Sequence, residues 1–373
     1  MKITAVECFN ARLPASETEL AKGVMASTSV TRVLTDGGVT GYAFSPAAAP
    51  DPTLVTTTIA PALMGQDPLA IEHHLQGDPS LLQWPAVEHA LWDIAGKAAG
   101  MPVSKLLGGA RERIPIYLTC VWQGESDQSD VPPERQVDDI ARYVSHGFAA
   151  IKYRVWRPDP LADVAVAEAV RQRVGGRETV ELMLDRTADA PGTVWDYDTA
   201  YRVARAFEEV DGTWLEECFD REDIESPARL AAAVDIPITG GEGDRGLGKF
   251  AQYLAARSFD IVQPDTYNCG GILTLRKISA LAEGFGVPCI PHGIHGLALA
   301  GWLQVVGALP NCRLLELAIT VPPLLPWEQW APLEQLLKSP IPFRIEGSVM
   351  EIPQSPGLGL DVDEAAIDRY RVS

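Results

Sequence analysis

The sequence predicts an α/β protein in which a parallel β/α barrel follows a smaller α+β domain. Three observations support this prediction. From residue 111 onward, short apolar runs alternate with amphipathic helical stretches, a pattern typical of a parallel sheet covered by helices. Eight such runs lie between residues 116 and 318, and eight alternating strands close naturally into a TIM-like, (β/α)8-type barrel. The first 110 residues instead suggest strands followed by helices.

The predicted barrel strands recur at regular intervals, with a predicted helix in most of the gaps. They are IYLTCVW (116–122), AAIKYRV (149–155), TVELMLD (179–185), GTWLEE (212–217), IPITGGE (236–242), FDIVQPD (259–265), VPCIPH (287–292) and CRLLELA (312–318). A doubly wound open sheet is the structural alternative. No G-x-G-x-x-G follows the first strand, so the sequence gives little support to a dinucleotide-binding fold.

The N-terminal domain has its own pattern. The tripeptide Asp36-Gly37-Gly38, between TRVLT and VTGYAF, predicts a hairpin turn. The segment PAVEHALWDIAGKAAG predicts an amphipathic helix. Its apolar face carries Val87, Ala90, Leu91, Ile94 and Ala98. We expect domains at 1–110 (α+β), 111–340 (barrel) and 341–373 (a C-terminal segment that returns to the first domain).

Composition excludes several classes of partner. The formal net charge of −19 argues against nucleic acid and anionic membranes, which are polyanions, but not against a small anionic substrate. The six cysteines include no C-x-x-C pair, which indicates a reducing compartment. The N-terminal MKITAVECFNARL alternates like a strand and lacks the apolar core of a signal peptide. No apolar run is long enough to span a bilayer, and we therefore expect a cytoplasmic protein.

Polar residues terminate seven consecutive strands of the predicted barrel. In chain order they are Lys152 and Arg154, Asp185, Glu216 and Glu217, Glu242, Asp265, His292 and Glu316. The C-terminal strand ends of a β/α barrel open at one mouth, where such enzymes carry out their chemistry. A single carboxylate at a strand end is usually solvated or caps the next helix. The repetition around the barrel favours a common site.

Three acids end consecutive strands, namely Asp185, Glu216 and Glu242. If they converged without a cation, each would raise the pKa of the others. A hard divalent cation such as Mg²⁺ resolves this conflict, because it prefers carboxylate and water oxygens. No Cys/His cluster with zinc spacing competes for the role.

The remaining strand-end residues predict acid/base chemistry on an anionic substrate. Lys152 and Arg154 are two residues apart, so both leave the strand on one face. A lysine acts as a base when its pKa is lowered, whereas arginine does not readily do so. A histidine ordinarily titrates near neutral pH, and Asp265 at the neighbouring strand end would fix the tautomer of His292.

In spacing and motifs the whole chain resembles the enolase superfamily, and within it the mandelate racemase subgroup of the mandelate racemase/muconate lactonizing enzyme family. PAVEHALWDIAGKAAGMPVSKLLGG resembles the last helix of that family's N-terminal capping domain. W-L-E-E-C, I-T-G-G-E-G, Q-P-D-T-Y-N-C-G-G-I and P-H-G then follow the barrel motifs in order. Separations of 26, 23 and 27 residues connect Glu216, Glu242, Asp265 and His292.

This resemblance implies a (β/α)7β barrel, a bound Mg²⁺ and an enediolate intermediate formed by removing the proton next to a substrate carboxylate. Asp185, Glu216 and Glu242 would be the Mg²⁺ ligands, and Asp265 with His292 the general acid/base dyad. Glu316 would hydrogen-bond the substrate carboxylate, and Lys152 with Arg154 would occupy the K-x-K motif. We also expect a small-molecule carboxylate substrate and a homo-oligomer, from dimer to octamer.

Two departures from the family pattern bear on the reaction. The second lysine of K-x-K is replaced by Arg154, and two-base racemisation is therefore disfavoured. The usual D-x-N becomes Asp185-Arg186-Thr187, followed by an apparent insertion around 188–193. Arg186 either enters the mouth to bind a distal anion or lies on the surface.

We therefore predict dehydration of an acid sugar to a 2-keto-3-deoxy acid, with His292 as the base. A racemase, epimerase or cycloisomerase using the same intermediate is the alternative. An inactive binding protein is disfavoured by the complete set of acids, and a class II aldolase by the lack of histidines at strands three to five. Residues 14–31 and 45–53 are the candidate specificity loops.

Overall fold

The computed structural model describes residues 1–77, 84–122, 131–188 and 193–372. In these residues a four-stranded antiparallel sheet has the order β13-β1-β2-β3, and a second sheet forms the barrel. The strands of the first sheet are β1 (Ile3–Arg12), β2 (Ser27–Thr35), β3 (Gly41–Ser45) and β13 (Arg371–Val372). The strands of the second are β4 (Arg113–Cys120), β5 (Ala150–Arg154), β6 (Glu181–Asp185), β7 (Trp214–Glu216), β8 (Ile238–Gly240), β9 (Ile261–Val262), β10 (Leu315–Ile319), β11 (Ile345–Glu346) and β12 (Val349–Glu351).

Helices connect and cover these strands. In the N-terminal domain they are α1 (Glu17–Ala21), α2 (Pro52–Leu54), α3 (Ala60–Leu63), α4 (Ile71–Gly77), α5 (Ala86–Ala99) and α6 (Val103–Leu106). Around the barrel they are α7 (Pro133–Ser145), α8 (Leu161–Val174), α9 (Tyr197–Glu209), α10 (Glu225–Ala231), α11 (Gly246–Ala256), α12 (Thr266–Cys269), α13 (Ile272–Gly284), α14 (Leu299–Val306) and α15 (Pro326–Trp330). The last helix, α16 (Glu364–Tyr370), contacts β1 of the first sheet. A π-helical turn, Val55–Ile59, joins α2 to α3, and 3-10 helices occupy Gly296–Ala298 and Ala331–Leu336. Within the described ranges, we find no helix with both the length and the apolar character needed to cross a membrane.

The barrel is parallel and closes through its last strand. Strands β4 to β9 pair in sequence, and β10 pairs in parallel with β4. The predicted seventh strand, 287–292, is reduced to one bridge between Cys289 and Val262. Pro288 and Pro291 lack N–H donors, which explains why a longer ladder does not form there.

Successive side chains of the barrel strands point alternately into the barrel and towards the surrounding helices, which gives two separate apolar clusters. Tyr117, Met183 and Trp214 form part of a buried cluster inside the barrel. Ile151 and Leu215 instead belong to the core between the strands and the surrounding helices. Because side chains alternate along a strand, the polar residues two positions beyond the interior layer also face inward. This alternation places the predicted site directly next to the apolar cluster inside the barrel.

Two expectations for the ends of the domains require correction. The C-terminal segment does not simply return to the N-terminal domain: β11 and β12 extend the barrel sheet antiparallel to β4, and only β13 pairs with β1. Ala98 is exposed, although the other four residues of the predicted apolar face of α5 are buried. Gly41 at the start of β3 lies against Ala90 and Ile94 of the buried face of α5.

A buried carboxylate joins the N-terminal domain to the barrel. Glu88 on α5 accepts hydrogen bonds from the backbone N–H groups of Ile272 and Leu273, both at 2.9 Å, and from Trp92 Nε1 at 2.7 Å. The N–H groups at the start of α13 have no partners within that helix, so Glu88 satisfies two of them. A side chain at Gly271 would overlap the Glu88 carboxylate.

Candidate active site

A buried lysine occupies the centre of the predicted site. Lys152 on β5 is fully buried, and its Nζ lies 2.5 Å from Glu216 Oε1 and 3.0 Å from Glu316 Oε1. Asp185 Oδ2 lies 3.6 Å away. Burial lowers the pKa of Lys152, but the surrounding carboxylates outweigh burial and raise it well above its ordinary value. Lys152 therefore places a positive charge among these carboxylates.

Two of the predicted metal ligands end neighbouring strands side by side. Asp185 and Glu216 are paired in the parallel register of β6 and β7. The N–H and Oγ1 of Thr187 donate to Asp185 Oδ1 at 2.7 and 2.8 Å. Glu216 accepts from Trp214 Nε1 at 3.0 Å and from Gln263 Nε2 at 2.9 Å. Burial and the nearby acids raise the pKa of Glu216 to about 7, despite Lys152.

The third predicted ligand follows β8 and is held by an arginine. Arg221 Nη2 donates to Glu242 Oε1 at 2.8 Å and to Glu217 Oε2 at 2.7 Å. On its other oxygen, Glu242 lies 3.2 Å from Nε2 of His292. Arg221 was not predicted from the sequence, because its role depends on bringing the loop after β7 against the end of β8.

The donor chemistry of these three residues fits a hard divalent cation. All are carboxylates at consecutive strand ends, and Asp185 and Glu242 both raise the pKa of Glu216. Among the described residues, no group of three or more His, Cys, Asp or Glu side chains is arranged so that it could hold a metal ion as it stands. Lys152 and Arg221 form ion pairs with Glu216 and Glu242. Their role as ligands stays a prediction.

The predicted dyad is formed. His292 Nδ1 lies 2.8 Å from Asp265 Oδ2. The other oxygen of Asp265, Oδ1, accepts a hydrogen bond from the N–H of Tyr267 at 2.6 Å and thereby caps the start of α12. Burial lowers the pKa of His292, but Glu242 and the bond to Asp265 raise it well above its usual value. Because Asp265 engages Nδ1, the Nε2 atom is the one available for proton transfer.

Glu316 on β10 is an ionised acceptor. Its oxygens accept from Tyr117 OH at 2.9 Å, from the N–H of Gly293 at 2.7 Å and from Thr119 Oγ1. Burial alone would raise the pKa of Glu316, but Lys152 and His292 lower it to about 2. Tyr117 and Thr119 were not predicted as site residues. Their i, i+2 spacing on β4 was the signal, because both face the barrel interior.

The two arginines differ in location. Arg154, at the end of β5, lines the cavity and lies 5.9 Å from the Trp156 ring centroid. Arg186 is buried beside the Trp156 and Trp195 rings and donates to the carbonyl oxygens of Val155 and Thr193. Arg186 is buried rather than on the surface, and it is not among the residues that line the cavity. Of the apparent insertion, residues 189–192 lie outside the described part of the chain.

The site opens into a cavity of about 570 Å³ between the barrel and the N-terminal domain. The barrel contributes Asp185, Asp265, His292 and Glu316 to its wall, together with residues that the sequence did not single out. These are Thr119, Val121, Arg245, Tyr267, Asn268, Gly293, Ile294, His295, Ala318 and Thr320. The N-terminal domain contributes 45–47 and 84–85, so one predicted specificity loop reaches the cavity.

The arrangement combines a buried cation, a ring of carboxylates and an Asp–His pair at one barrel mouth. Comparison with known families decides its affiliation. Residues 135–366 match the enolase C-terminal domain-like family, and residues 10–108 match the N-terminal domain of the mandelate racemase/muconate lactonizing enzyme family. The chain belongs to this family. The predicted resemblance and the barrel fold are therefore confirmed.

Several members of the family with named activities are similar to this chain. D-galactonate dehydratase of Ralstonia nicotianae is 32% identical over 84% of this chain and 82% of its own. 3,6-Anhydro-alpha-L-galactonate cycloisomerase of Streptomyces coelicolor is 30% identical over 83% of this chain and 86% of its own. The crystal structure of D-glucarate dehydratase from Agrobacterium tumefaciens, complexed with magnesium, has a TM-score of 0.81 at 27% identity, and each chain is fully covered. Dehydratases and cycloisomerases thus both occur among the relatives, and the chain is an enzyme of this family.

Proposed function

We propose that this enzyme is a Mg²⁺-dependent dehydratase that converts an acid sugar into a 2-keto-3-deoxy acid. The proposal rests on one observation, namely that the cavity wall holds an acid/base pair at one position and an arginine, instead of a second base, at another. The Asp265–His292 pair supplies a competent acid/base, whereas Arg154 stands in place of the lysine that a second base would require. The named dehydratases among the relatives support the same reaction class.

The acids and Lys152 prepare the site for charge on the substrate carboxylate. Asp185, Glu216 and Glu242 would hold Mg²⁺, which supplies Lewis-acid stabilisation of that charge when bound. Lys152 places a buried positive charge beside Glu316 in a region shielded from water.

Proton transfer belongs to His292. Its Nε2 takes the proton from C2 of a 2,3-dihydroxy acid, and the electron pair moves toward the carboxylate. When the electrons return, the C3–O bond breaks and His292 gives its proton to the departing hydroxyl, which leaves as water. Asp265 keeps one proton on Nδ1 throughout the reaction. The proton that comes from the substrate is therefore carried by Nε2 alone. The enol product then becomes the 2-keto-3-deoxy acid.

Cycloisomerisation is the second candidate, and the cycloisomerases among the relatives favour it. It needs a base on only one face, so the replacement of lysine by Arg154 does not distinguish it from dehydration. The substrate distinguishes the two reactions, since a lactone or anhydro sugar acid rearranges without loss of water.

A substrate screen tests the proposal. The enzyme with MgCl₂ is incubated with mono- and diacid sugars, and 2-keto acid is measured by its semicarbazone absorbance and by NMR. We expect at least one acid sugar to yield keto acid, and His292→Asn to yield none. Conversion of a lactone or anhydro sugar acid to an isomer, with no keto acid from any compound, would overturn dehydration in favour of cycloisomerisation.

A further inference from the structure

A second histidine enters the cavity from the loop that carries His292. The sequence H-G-I-H-G spans 292–296, and both of its glycines are required by close contacts. A side chain at Gly293 would overlap Glu316, and Gly296 has a φ of +64° and lies against Met25 and Leu333. The following residues, Gly296–Ala298, form a buried 3-10 helix. This shape holds the ring of His295 at the cavity wall.

The imidazole of His295 has an unused hydrogen-bonding atom. Its Nδ1 is buried and has no hydrogen-bond partner among the described residues. Burial lowers the pKa of His295 to about 4, and the nearby His292 acts in the same direction. The ring is therefore neutral at neutral pH, with one donor and one acceptor nitrogen. Buried polar atoms normally have partners, and an unpaired one costs stability unless a ligand or water satisfies it.

Other histidines in the described chain do not share this combination. His74 is buried, but its Nε2 lies 2.7 Å from the carbonyl oxygen of Asp67. His89 has a buried Nε2 without a partner, yet it packs on the Tyr267 ring and does not line the cavity. His295 alone among these three combines an unpaired nitrogen with a position in the cavity wall.

We propose that His295 binds a substrate hydroxyl that takes no part in the reaction, and thereby determines which acid sugar is accepted. A hydroxyl both donates and accepts, and so it matches either tautomer of a neutral imidazole. A substrate carboxylate would be matched better by a guanidinium, and Arg154 and Arg245 line the same cavity. A site built to bind a hydroxyl rejects analogues that lack it, because its own polar atom is then left unpaired. The inference rests on the proposed function.

The first experiment compares His295→Leu with the wild type on the acid sugar that yields keto acid. We expect kcat/KM to fall about 10- to 100-fold, the range for losing one buried hydrogen bond. His295→Asn, which keeps a polar atom near the position of Nδ1, should recover part of the loss. His73→Leu removes an exposed histidine from α4 and serves as the matched control. It should leave kcat/KM unchanged.

The second experiment uses deoxy analogues of the same acid sugar. The wild type should turn over the analogue that lacks the bound hydroxyl as poorly as His295→Leu turns over the parent compound. The two changes should not add, since both remove the same bond. Wild-type kcat/KM in His295→Leu, or an equal loss with every deoxy analogue, would overturn the assignment of His295.

Binding separates this inference from the proposed function. D-Galactonate, D-gluconate and galactarate are titrated calorimetrically into the wild type and His295→Leu. Binding without keto-acid formation contradicts only the dehydratase, and a weaker Kd in His295→Leu would then still support the hydroxyl contact. Keto acid formed equally well by both proteins contradicts only the role of His295. A wild type that neither binds nor converts any acid sugar contradicts both.

Discussion

At the scale of single residues, Asp265 determines which nitrogen of His292 is available. One of its carboxylate oxygens caps α12 through the N–H of Tyr267, and the other lies 2.8 Å from Nδ1 of His292. The backbone contact prevents Asp265 from rotating away, so the ring keeps one orientation. Nε2 is therefore directed at the neighbouring carboxylate, Glu242, at 3.2 Å.

Replacing this histidine should separate proton transfer from folding. We expect His292→Asn to abolish the exchange of the C2 proton for deuterium in D₂O, because asparagine has no group that accepts a proton near neutral pH. Exchange is followed by NMR with the acid sugar that the wild type converts. The variant should keep the thermal unfolding temperature of the wild type within a few degrees. Exchange that persists in His292→Asn would assign the base to the side of the cavity that holds Arg154.

The strand-end residues of the site could be predicted from sequence because the C-terminal ends of parallel strands meet at one mouth. Lys152 and Glu216 were named on that basis, and the structure brings them to 2.5 Å. Thr119 and Arg221 could not be placed in this way. Thr119 meets Glu316 only through the pairing of β10 with β4 across the barrel closure, which connects residues far apart in sequence. The burial of Arg186 could not be predicted either, because the tryptophan beside it, Trp195, is brought near only by the fold.

At the scale of elements, the contact between α5 and α13 depends on one buried acid. Glu88 receives two backbone hydrogen bonds from the start of α13 and one from Trp92. Burial dominates over these bonds and raises the pKa of Glu88 from 4.5 to about 7. Between these two values the folded chain retains a proton that the unfolded chain has released. The contribution of Glu88 to stability is therefore complete below about pH 4.5 and is lost as the pH rises through about 7.

Glu88→Gln should remove this pH dependence, because glutamine does not titrate yet can still accept a hydrogen bond from α13. We expect the free energy of unfolding of the wild type to fall by about 3 kcal/mol more than that of the variant between pH 4.5 and pH 8. Urea unfolding at the two pH values measures this difference. Glu222→Gln, at an exposed acid, is the matched control and should follow the wild type. Parallel pH profiles for the wild type and Glu88→Gln would show that folding does not raise the pKa of Glu88.

Periodicity predicted most elements, and its failures have local causes. The predicted strand 287–292 has the apolar composition of its neighbours, but its two prolines leave only the bridge at Cys289. The hairpin β11–β12 was assigned to the N-terminal domain, since nothing in its own residues shows that its partner is β4. Strand identity is a local property, whereas strand partners depend on the whole chain.

At the scale of the whole molecule, the cavity lies between two parts of the chain that contribute different residues to its wall. The barrel supplies the charged groups, and residues 45–47 and 84–85 of the N-terminal domain supply wall without charge. The charged groups of the barrel and the uncharged wall of the N-terminal domain can therefore change independently of each other. This division is consistent with relatives whose names cover both dehydration and cycloisomerisation.

Metal binding at the barrel mouth should stabilise the folded chain, because a ligand that binds only the folded state shifts the unfolding equilibrium. If Asp185, Glu216 and Glu242 hold Mg²⁺, an ion at 100 times its Kd adds about 2.7 kcal/mol and raises the unfolding temperature by several degrees. EDTA should reverse the rise. Glu242→Gln should abolish it, since an amide donates no charge to the cation, whereas Asp235→Asn changes a fully exposed acid and should retain it. An equal rise in Glu242→Gln and the wild type would place the ion elsewhere on this acidic chain.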